Sequence, residues 1–281
     1  MERPGRRTTV GAAMTTRTAA RVLTALLGAA MISATTVTAP GNSLVGPPAA
    51  AAAPQSCPTP KRYVVTNVPA TVSRNVALTF DDGPSPNWTP QVLDVLAAKR
   101  VHATFFMLGQ NARAYPRLVR RVVREGHTVG NHSQTHPQMT ELSTSRQATQ
   151  MDSATRAISA AVGGGYRPCF FRPPSGDYNN TTVRLARARG MSTVVWSHDT
   201  RDWATPLHLS ASFQRTIVYR ATKPLSRHPD ILMHDGSRGN YRQNTVNSLR
   251  RIITFYKRRG YHFTNPVGGC PEFRRTSVAA R

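Results

Sequence analysis

The sequence predicts an α/β fold, a distorted (β/α) barrel of about seven parallel strands with its active site at the C-terminal strand ends. From about residue 74, short apolar runs alternate with longer amphipathic ones, and strands that alternate with helices build parallel βα units. About seven such units fit the chain, which is too many for a small open sheet and close to a closed barrel. Polar clusters follow several of the apolar runs, and barrels of βα units carry their active sites at that face.

The predicted strands are the short apolar runs. They span residues 76–80, 103–108, 127–131, 170–172, 191–197, 230–234 and 261–264. Polar residues stand at or just after the C-terminal ends of these strands: Asp81-Asp82, His132, Arg172, Asp199 and His234. The barrel would therefore bring residues that are far apart in the sequence to one rim.

The predicted helices are the longer amphipathic runs, and several of them have recognisable ends. They span residues 89–99, 115–124, 145–161, 181–189, 211–221 and 244–259. The first is expected to begin at Thr89 as its N-cap, with Pro90 in the first helical position. The second is expected to end at Gly126, and the third at the glycine run 163–165.

The chain is predicted to have four parts: a signal peptide at 1–39, a flexible linker and N-terminal lead-in at 40–73, the barrel domain at 74–265 and a C-terminal tail at 266–281. The first part combines basic residues, an apolar run and small residues, in the order that is typical of a secretory signal peptide. Its apolar run is too short to predict a membrane span. We therefore expect a protein that is secreted or associated with the cell wall, whether synthesis starts at Met1 or at Met14.

The chain of 281 residues is strongly basic, with 37 Lys and Arg, 13 Asp and Glu and a formal net charge of +24. Such a surplus points first to nucleic acid or to an anionic surface. The basic residues are scattered, so a solvated basic face is the simplest interpretation, and electrostatic association with an anionic cell wall is the alternative. The sequence contains no zinc-finger, helix-turn-helix or RNA-binding signature. We expect a monomer that does not bind nucleic acid.

Three cysteines are present, Cys57, Cys169 and Cys270. An oxidising compartment favours one pair and one leftover thiol. Cys57 and Cys270 bracket the barrel domain, and the termini of domains often lie close together, so we predict a disulfide between them. Cys169 stands in an apolar run and is expected to be a buried free thiol.

The residues that suggest chemistry are two histidines and two aspartates. His132 and His136 are four positions apart, so they could share one face of a helical turn and bind one metal. Asp82 follows an apolar strand, and two imidazoles with one carboxylate leave an open position on a zinc ion for water. The neighbouring Asp81 could then accept a proton. Taken singly, a structural histidine pair or a solvated Asp-Asp-Gly-Pro turn explains the same residues.

Five motifs in one order strengthen this interpretation. They are Thr79-Phe-Asp-Asp-Gly-Pro84, His132-Ser-Gln-Thr-His136, Arg172-Pro-Pro-Ser-Gly176, Asp199-Thr-Arg-Asp-Trp203 and Leu232-Met-His234. This set resembles the motifs of polysaccharide deacetylases, which are the NodB-like, family-four carbohydrate esterases. The resemblance covers roughly residues 74–265, the whole of the predicted barrel domain.

The resemblance implies a role for each matching position in the first three motifs. Asp81 would be the general base, and Asp82, His132 and His136 would hold the metal. Arg172 would pair with Asp81 and keep it ionised and oriented. The metal implied is divalent, with zinc expected and cobalt as an alternative.

The last two motifs supply the acid and the walls of a substrate pocket. Asp202 would hydrogen-bond His234, the general acid, and its charge would keep His234 protonated near neutral pH. Trp203 and Leu232 would line the pocket for the acetyl group.

The third motif departs from the family at one position, where Ser175 replaces the usual aromatic residue. The family's oxyanion donor there is a backbone N–H, which Ser can also supply, so Ser175 and Gly176 are predicted to contact the substrate. The neighbouring sugar subsite should differ in shape.

The resemblance implies a hydrolase that removes N-acetyl groups from an amino-sugar polymer. Peptidoglycan and chitin oligomers are the expected substrates, ahead of acetylated xylan. An O-acetyl esterase on xylan is the nearest alternative, because that chemistry differs only in the leaving group. A catalytically silent protein that binds the wall is an alternative of a different class.

Overall fold

A computed structural model describes residues 57–70, 74–236 and 241–268. The predicted signal peptide, Cys270 and most of the predicted tail lie outside these residues. Eight strands are formed: β1 (Asn75–Asp81), β2 (Thr104–Met107), β3 (Thr128–Asn131), β4 (Phe170–Phe171), β5 (Ser192–Thr193), β6 (His198–Asp199), β7 (Asp230–His234) and β8 (His262–Phe263).

Seven α-helices connect or flank the strands of the described chain. They are α1 (Thr89–Lys99), α2 (Gly109–Ala114), α3 (Pro116–Arg124), α4 (Thr144–Val162), α5 (Asn180–Ala188), α6 (Ala211–Thr222) and α7 (Gln243–Lys257). Two short 3-10 turns, Pro174–Gly176 and Asp202–Ala204, follow β4 and β6. No helix in the described ranges combines the length and the apolar character needed to cross a membrane.

The strands form one parallel sheet in the order β5-β4-β3-β2-β1-β7-β6, and β8 pairs with the start of β1. The seven strands curl into a half-barrel with helices outside, which confirms the predicted distorted (β/α) barrel. The register places Asp81 opposite His234 on one side and opposite Phe106 on the other. The ends of β1 and β7 therefore bring their polar residues to the same rim.

The two faces of the strands differ in character. Leu78 and Phe80 of β1 are buried in the main apolar cluster together with side chains of α1 and α7. Thr79 and Asp81 alternate with them and point to the opposite face, because side chains along a strand alternate. Thr79 is also buried and hydrogen-bonds across to β7. The inside of the half-barrel is thus lined by polar groups just below the predicted site.

Part of the predicted lead-in is built into the fold. The Val65 amide donates to the Thr193 carbonyl, and the Val195 amide donates to the Val65 carbonyl, both at 2.9 Å. Further along, the Val68 amide donates to the His228 carbonyl at 3.0 Å. Val65 and Val68 are buried, so this segment runs from the β5 side of the sheet to the residues before β7.

The disulfide prediction is wrong. Cys57 is bonded to Cys169, with an S–S distance of 2.00 Å and a Cα–Cα distance of 5.2 Å. Cys169 is therefore a bridged residue and not a free thiol. The physical reason is the course of the lead-in, which runs beside β5, where the Lys61 amide donates to the Ser192 hydroxyl at 3.0 Å. This course places Cys57 next to Cys169, the residue that directly precedes β4.

Three local predictions also differ from the structure. Thr89 is the first helical residue of α1 and not its N-cap, which is Trp88. The predicted strand 191–197 is shortened to β5 at Ser192–Thr193, and β6, which pairs with β7, begins at His198 beyond the predicted range. Helix α2 was not predicted, because its sequence is mostly polar and begins with Gly109.

Candidate active site

The predicted metal ligands converge at the C-terminal ends of β1 and β3. The Asp82 Oδ1 atom lies 3.5 Å from Nε2 of both His132 and His136. The three ligand atoms all lie within 4.8 Å of one another. Asp82 Oδ1 is buried and has no hydrogen-bond partner among the described residues. An unpartnered carboxylate oxygen that faces two imidazole nitrogens is a donor set that fits a divalent cation.

The two histidines meet through a loop and not through the helical turn that their spacing suggested. Asp82, Ser133 and His136 have φ angles of 71°, 69° and 66°. Such left-handed conformations are costly for residues other than glycine and are found where function requires them. The loop is held by hydrogen bonds from the Ser133 amide to Asn131 Oδ1 at 2.8 Å and from the His136 amide to Ser133 Oγ at 3.0 Å. Asn111 donates to the Asp82 carbonyl at 2.8 Å.

The hydrogen bonding of His132 prepares it to bind a cation. Its Nδ1 lies 2.7 Å from the Arg172 carbonyl oxygen. Because a carbonyl only accepts, Nδ1 carries the proton and the lone pair of Nε2 faces Asp82. Burial lowers the pKa of His132 to about 3. The ring is therefore neutral at ordinary pH, as a metal ligand must be.

Asp81 is buried beside the ligand set, and its carboxylate is held by Arg172. Arg172 Nη1 donates to Asp81 Oδ1 at 3.0 Å and to the Thr79 hydroxyl at 2.7 Å. The guanidinium carbon lies 4.1 Å from the ring centre of Phe106, so the ring packs against its face. Burial raises the pKa of Asp81, and the charge and hydrogen bond of Arg172 oppose that rise. Asp81 is thus a fixed carboxylate with one oxygen left for another partner.

Arg172 also pairs with a second carboxylate, that of Asp230, which the sequence analysis did not predict. Arg172 Nη2 donates to Asp230 Oδ1 at 3.0 Å, and the Thr79 hydroxyl lies 3.1 Å from the same oxygen. Asp230 is fully buried, and burial raises its pKa to about 6 although Arg172 opposes the rise. A signal was available, because Asp230 and His234 are four positions apart in one strand and must share a face.

His234, which is partly buried, pairs with the fully buried Asp202 across the site. The His234 Nδ1 atom lies 2.7 Å from Asp202 Oδ1, and Asp202 Oδ2 accepts from the His234 amide at 2.9 Å and from the Thr245 hydroxyl at 2.7 Å. Burial lowers the pKa of His234, but the Asp202 charge and hydrogen bond outweigh burial, so the pKa is raised. In Asp202, burial is in turn outweighed by His234 and by Arg242, so its pKa is lowered. His234 can therefore carry a proton near neutral pH.

The predicted pocket residues lie around this centre. Leu232 is buried in β7, two positions before His234 and on the same face. Trp203 is 44% exposed in the 3-10 turn that begins at Asp202. Ser175 is exposed and has a φ of 56°. A Cβ atom on Gly176 would lie 2.9 Å from the ring of Trp196, a partly buried residue that sequence analysis did not single out.

The fold is a parallel βα half-barrel, and its cluster of aspartates and histidines lies at the C-terminal strand ends, where enzymes built from βα units carry their active sites. The family model for polysaccharide deacetylases matches residues 69–194. The chain belongs to this family, the NodB-like, family-four carbohydrate esterases, and it is an enzyme of the polysaccharide deacetylase class. The resemblance drawn from the five motifs is confirmed.

Individual relatives support the family assignment. The chain is 37% identical to a peptidoglycan-N-acetylglucosamine deacetylase of Bacillus cereus over 206 residues, which cover 73% of this chain and 91% of that protein. It is 36% identical to a chitooligosaccharide deacetylase of Bradyrhizobium over 200 residues, which cover 67% of this chain and 87% of that protein. The crystal structure of the Bc1960 peptidoglycan N-acetylglucosamine deacetylase superposes with a TM-score of 0.66 at 32% identity, covering 72% of this chain and 90% of that one.

Proposed function

We propose that this chain is a secreted, metal-dependent hydrolase that removes N-acetyl groups from peptidoglycan or a chitin-type oligosaccharide. One observation carries the proposal. The buried carboxylate of Asp81, fixed by Arg172, lies beside the Asp82–His132–His136 donor set. The names of the relatives, which act on peptidoglycan or chitooligosaccharide, support the substrate class.

The donor set would hold the cation, with zinc expected and cobalt as an alternative. A divalent metal held by these residues would supply Lewis-acid chemistry, which polarises an acetyl carbonyl and makes water a better nucleophile. Asp82 supplies the negative charge of the set, and the neutral ring of His132 is fixed in the tautomer that a cation needs.

Asp81 takes the proton from the attacking water. Its second oxygen, Oδ2, lies 3.7 Å from His132 Nε2 and therefore faces the donor set. Arg172 keeps this carboxylate in place and opposes the rise of its pKa on burial. Asp81 thus stays available as a base without moving away from the reacting water.

His234 gives a proton to the nitrogen of the departing amine. Its Nδ1 is occupied by Asp202 at 2.7 Å, so Nε2 is the atom that transfers the proton. The amine is a poor leaving group until it is protonated, so this transfer accompanies cleavage of the carbon–nitrogen bond. Ser175 is an exposed residue three positions after Arg172, and its backbone would contribute an N–H to the developing oxyanion.

Export remains part of the proposal. The basic, apolar and small-residue order of residues 1–39 supports it, and the Cys57–Cys169 disulfide is of the kind that persists in oxidising compartments. Cleavage can be checked by N-terminal sequencing of the protein recovered from the medium.

The test is acetate release from a panel of peptidoglycan, chitin oligomers and acetylxylan. We expect release from the first two, and a loss of at least ~100-fold in Asp81→Asn because its general base is removed. Chelation should abolish release and added zinc or cobalt should restore it. The matched control is Asp94→Asn, which removes an exposed carboxylate paired with Arg121 and should leave the rate unchanged.

Three outcomes would contradict the proposal. Release from acetylxylan alone would favour the O-acetyl esterase. Glycan binding without release from any substrate, with metal supplied, would favour the catalytically silent wall-binding protein. Equal rates for Asp81→Asn and the wild type would remove Asp81 from the mechanism.

A further inference from the structure

A groove of about 360 Å³ lies between the lead-in and α5, and none of the predicted site residues lines it. Three arginines and two tyrosines dominate its walls: Arg62, Tyr63, Tyr178, Arg184 and Arg187. We call this feature the α5 groove.

The arginines of the α5 groove are available for a ligand. Arg62, Arg184 and Arg187 are all exposed, and the ion pairs found in the described residues include none of them. The nearby carboxylate of Asp177 is already engaged, since it accepts from the Thr140 amide and hydroxyl, both at 2.8 Å. Unpaired guanidinium groups that converge on a concave surface favour carboxylates, which they bind through paired N–H donors.

The tyrosines add a second kind of contact. Tyr63 is 63% exposed and Tyr178 is 41% exposed. An exposed aromatic ring presents an apolar face with a polar tip, and a sugar ring offers C–H groups on its faces and hydroxyls at its edge. Aromatic faces beside guanidinium groups therefore fit a sugar polymer that carries acidic substituents.

The walls of the groove are held in place from both sides. On the lead-in, Arg62 and Tyr63 stand between the Cys57 disulfide and the Val65 pairing with β5. On the other wall, Asn179 caps α5, with its side chain accepting from the Thr182 amide at 3.0 Å. The groove is therefore a formed surface whose charged groups are fixed at their backbones.

The groove is connected to the active-site rim by one loop of the chain. Tyr178 follows Gly176 by two positions in the loop that carries Ser175, and α5 begins two residues later. A polymer whose acetyl group is at Asp81 and His234 would have to cross this loop to reach Tyr178 in the groove.

We propose that the α5 groove binds the part of the glycan strand that extends beyond the active site, and that it selects strands bearing carboxylates. This inference rests on the proposed glycan deacetylase function and adds a determinant of its substrate. The Tyr faces bind the sugar rings of any such strand, and the three arginines bind the acidic substituents. Strands without carboxylates are bound only through the contacts of the tyrosine rings with the sugar rings.

The experiment measures binding to two polymers with the same N-acetylated backbone, neutral glycol chitin and carboxymethyl chitin. All variants carry Asp81→Asn, so that binding is read without turnover. We expect Arg184→Glu/Arg187→Glu to weaken binding of carboxymethyl chitin at least ~10-fold, as reversal of charges at a contact does, with binding of glycol chitin changed less than ~2-fold.

The control is Arg250→Glu/Arg251→Glu, an equal charge reversal at two exposed arginines of α7. It should change both affinities less than ~2-fold, because the charges lie outside the groove. An equal loss in the control would show that the general basic charge, and not the groove, attracts the polymer. An equal loss for both polymers in the α5 variant would overturn the selection of carboxylates.

A second variant tests the sugar-ring contact. Tyr63→Ala/Tyr178→Ala should weaken the binding of both polymers to a similar degree. Unchanged binding of both polymers would overturn the aromatic part of the proposal. Acetate release by the wild type from chitin oligomers is measured separately. Its absence would count against the deacetylase function alone, whereas the binding ratios count only for or against the groove.

Discussion

At the residue scale, the proposed chemistry depends on one arginine shared between two carboxylates. Arg172 is fully buried, donates to both Asp81 and Asp230, and packs against Phe106. A buried guanidinium needs partners for its charge and its N–H groups. In the proposed mechanism Asp230 takes no part in proton transfer, and it would position the base, Asp81, through Arg172.

Replacing Asp230 should therefore slow the reaction without removing a reacting group. We expect Asp230→Asn to lower kcat about tenfold, because Arg172 would be oriented less firmly, while KM and the bound metal stay close to wild type. Steady-state kinetics with metal analysis checks this. The control Asp152→Asn removes a carboxylate paired with Arg189 on the surface. Wild-type kcat in Asp230→Asn would show that Asp81 needs no such support.

The Asp202–His234 pair makes a prediction about pH. A general acid must be protonated, so activity is lost as the pH rises through the pKa of His234. Asp202 raises this pKa by its charge and hydrogen bond, which outweigh burial. Asp202→Asn should therefore move the alkaline limb of the kcat/KM profile to lower pH. The profile of Asp94→Asn serves as the reference, and an unmoved limb would mean that another group donates the proton.

At the element scale, the turn after β1 decides whether the three proposed metal ligands meet. Gly83 follows Asp82, and a Cβ atom there would lie 2.6 Å from Asp235 Oδ2. Asp235 is fully buried, and its Oδ2 accepts from the Thr89 hydroxyl at 2.5 Å. The start of α1 and the end of β7 thus leave no room for a side chain at this turn.

Gly83→Ala should displace the turn and weaken metal binding. We expect less than one equivalent of zinc per chain after dialysis, because the Asp82 ligand would be misplaced relative to His132 and His136. Elemental mass spectrometry measures the metal. Asn87→Ala, at an exposed position of the same loop, should keep a full equivalent. Full occupancy in Gly83→Ala would show that the turn can adapt.

Strongly apolar elements could be predicted from the sequence, and weakly patterned ones could not. The bounds predicted for α1 and β7 agree with the structure, because each is a clear apolar period with polar flanks. Helix α2 was missed because its polar sequence gains its order from packing against α4. Thr89 looks like an N-cap in the sequence, but its hydroxyl donates a hydrogen bond to the distant residue Asp235.

The site was predictable to a similar extent. The proposed metal ligands and the His234–Asp202 pair follow strand ends and recognisable motifs, so the sequence predicts that they lie together. The sequence shows that Asp230 shares a strand face with His234, but it does not show that Arg172, which follows β4, pairs with Asp230. The cysteine pairing could not be deduced either, because it is set by the course of the lead-in.

At the scale of the whole molecule, the disulfide joins residues separated by 112 positions. Closing a loop of this size removes much of the freedom of the unfolded chain, and the loss of such a bridge costs about 2–5 kcal/mol. We expect Cys57→Ser/Cys169→Ser to lower the free energy of unfolding by about that amount, as measured by denaturant titration. Cys270→Ser is the control and should be nearly neutral. Peptide mapping that pairs Cys57 with Cys270 would contradict the structure.

The position of the lead-in has a consequence for biogenesis. The segment around Val65 and Val68 is made before β1, yet its backbone partners, Thr193 and His228, are made much later. An N-terminal stretch of this chain therefore has nothing to pair with while it emerges, and contacts between distant residues form slowly. This edge of the sheet can form only after most of the chain has been synthesised. The newly made protein would therefore benefit from a chaperone until its last strands are available.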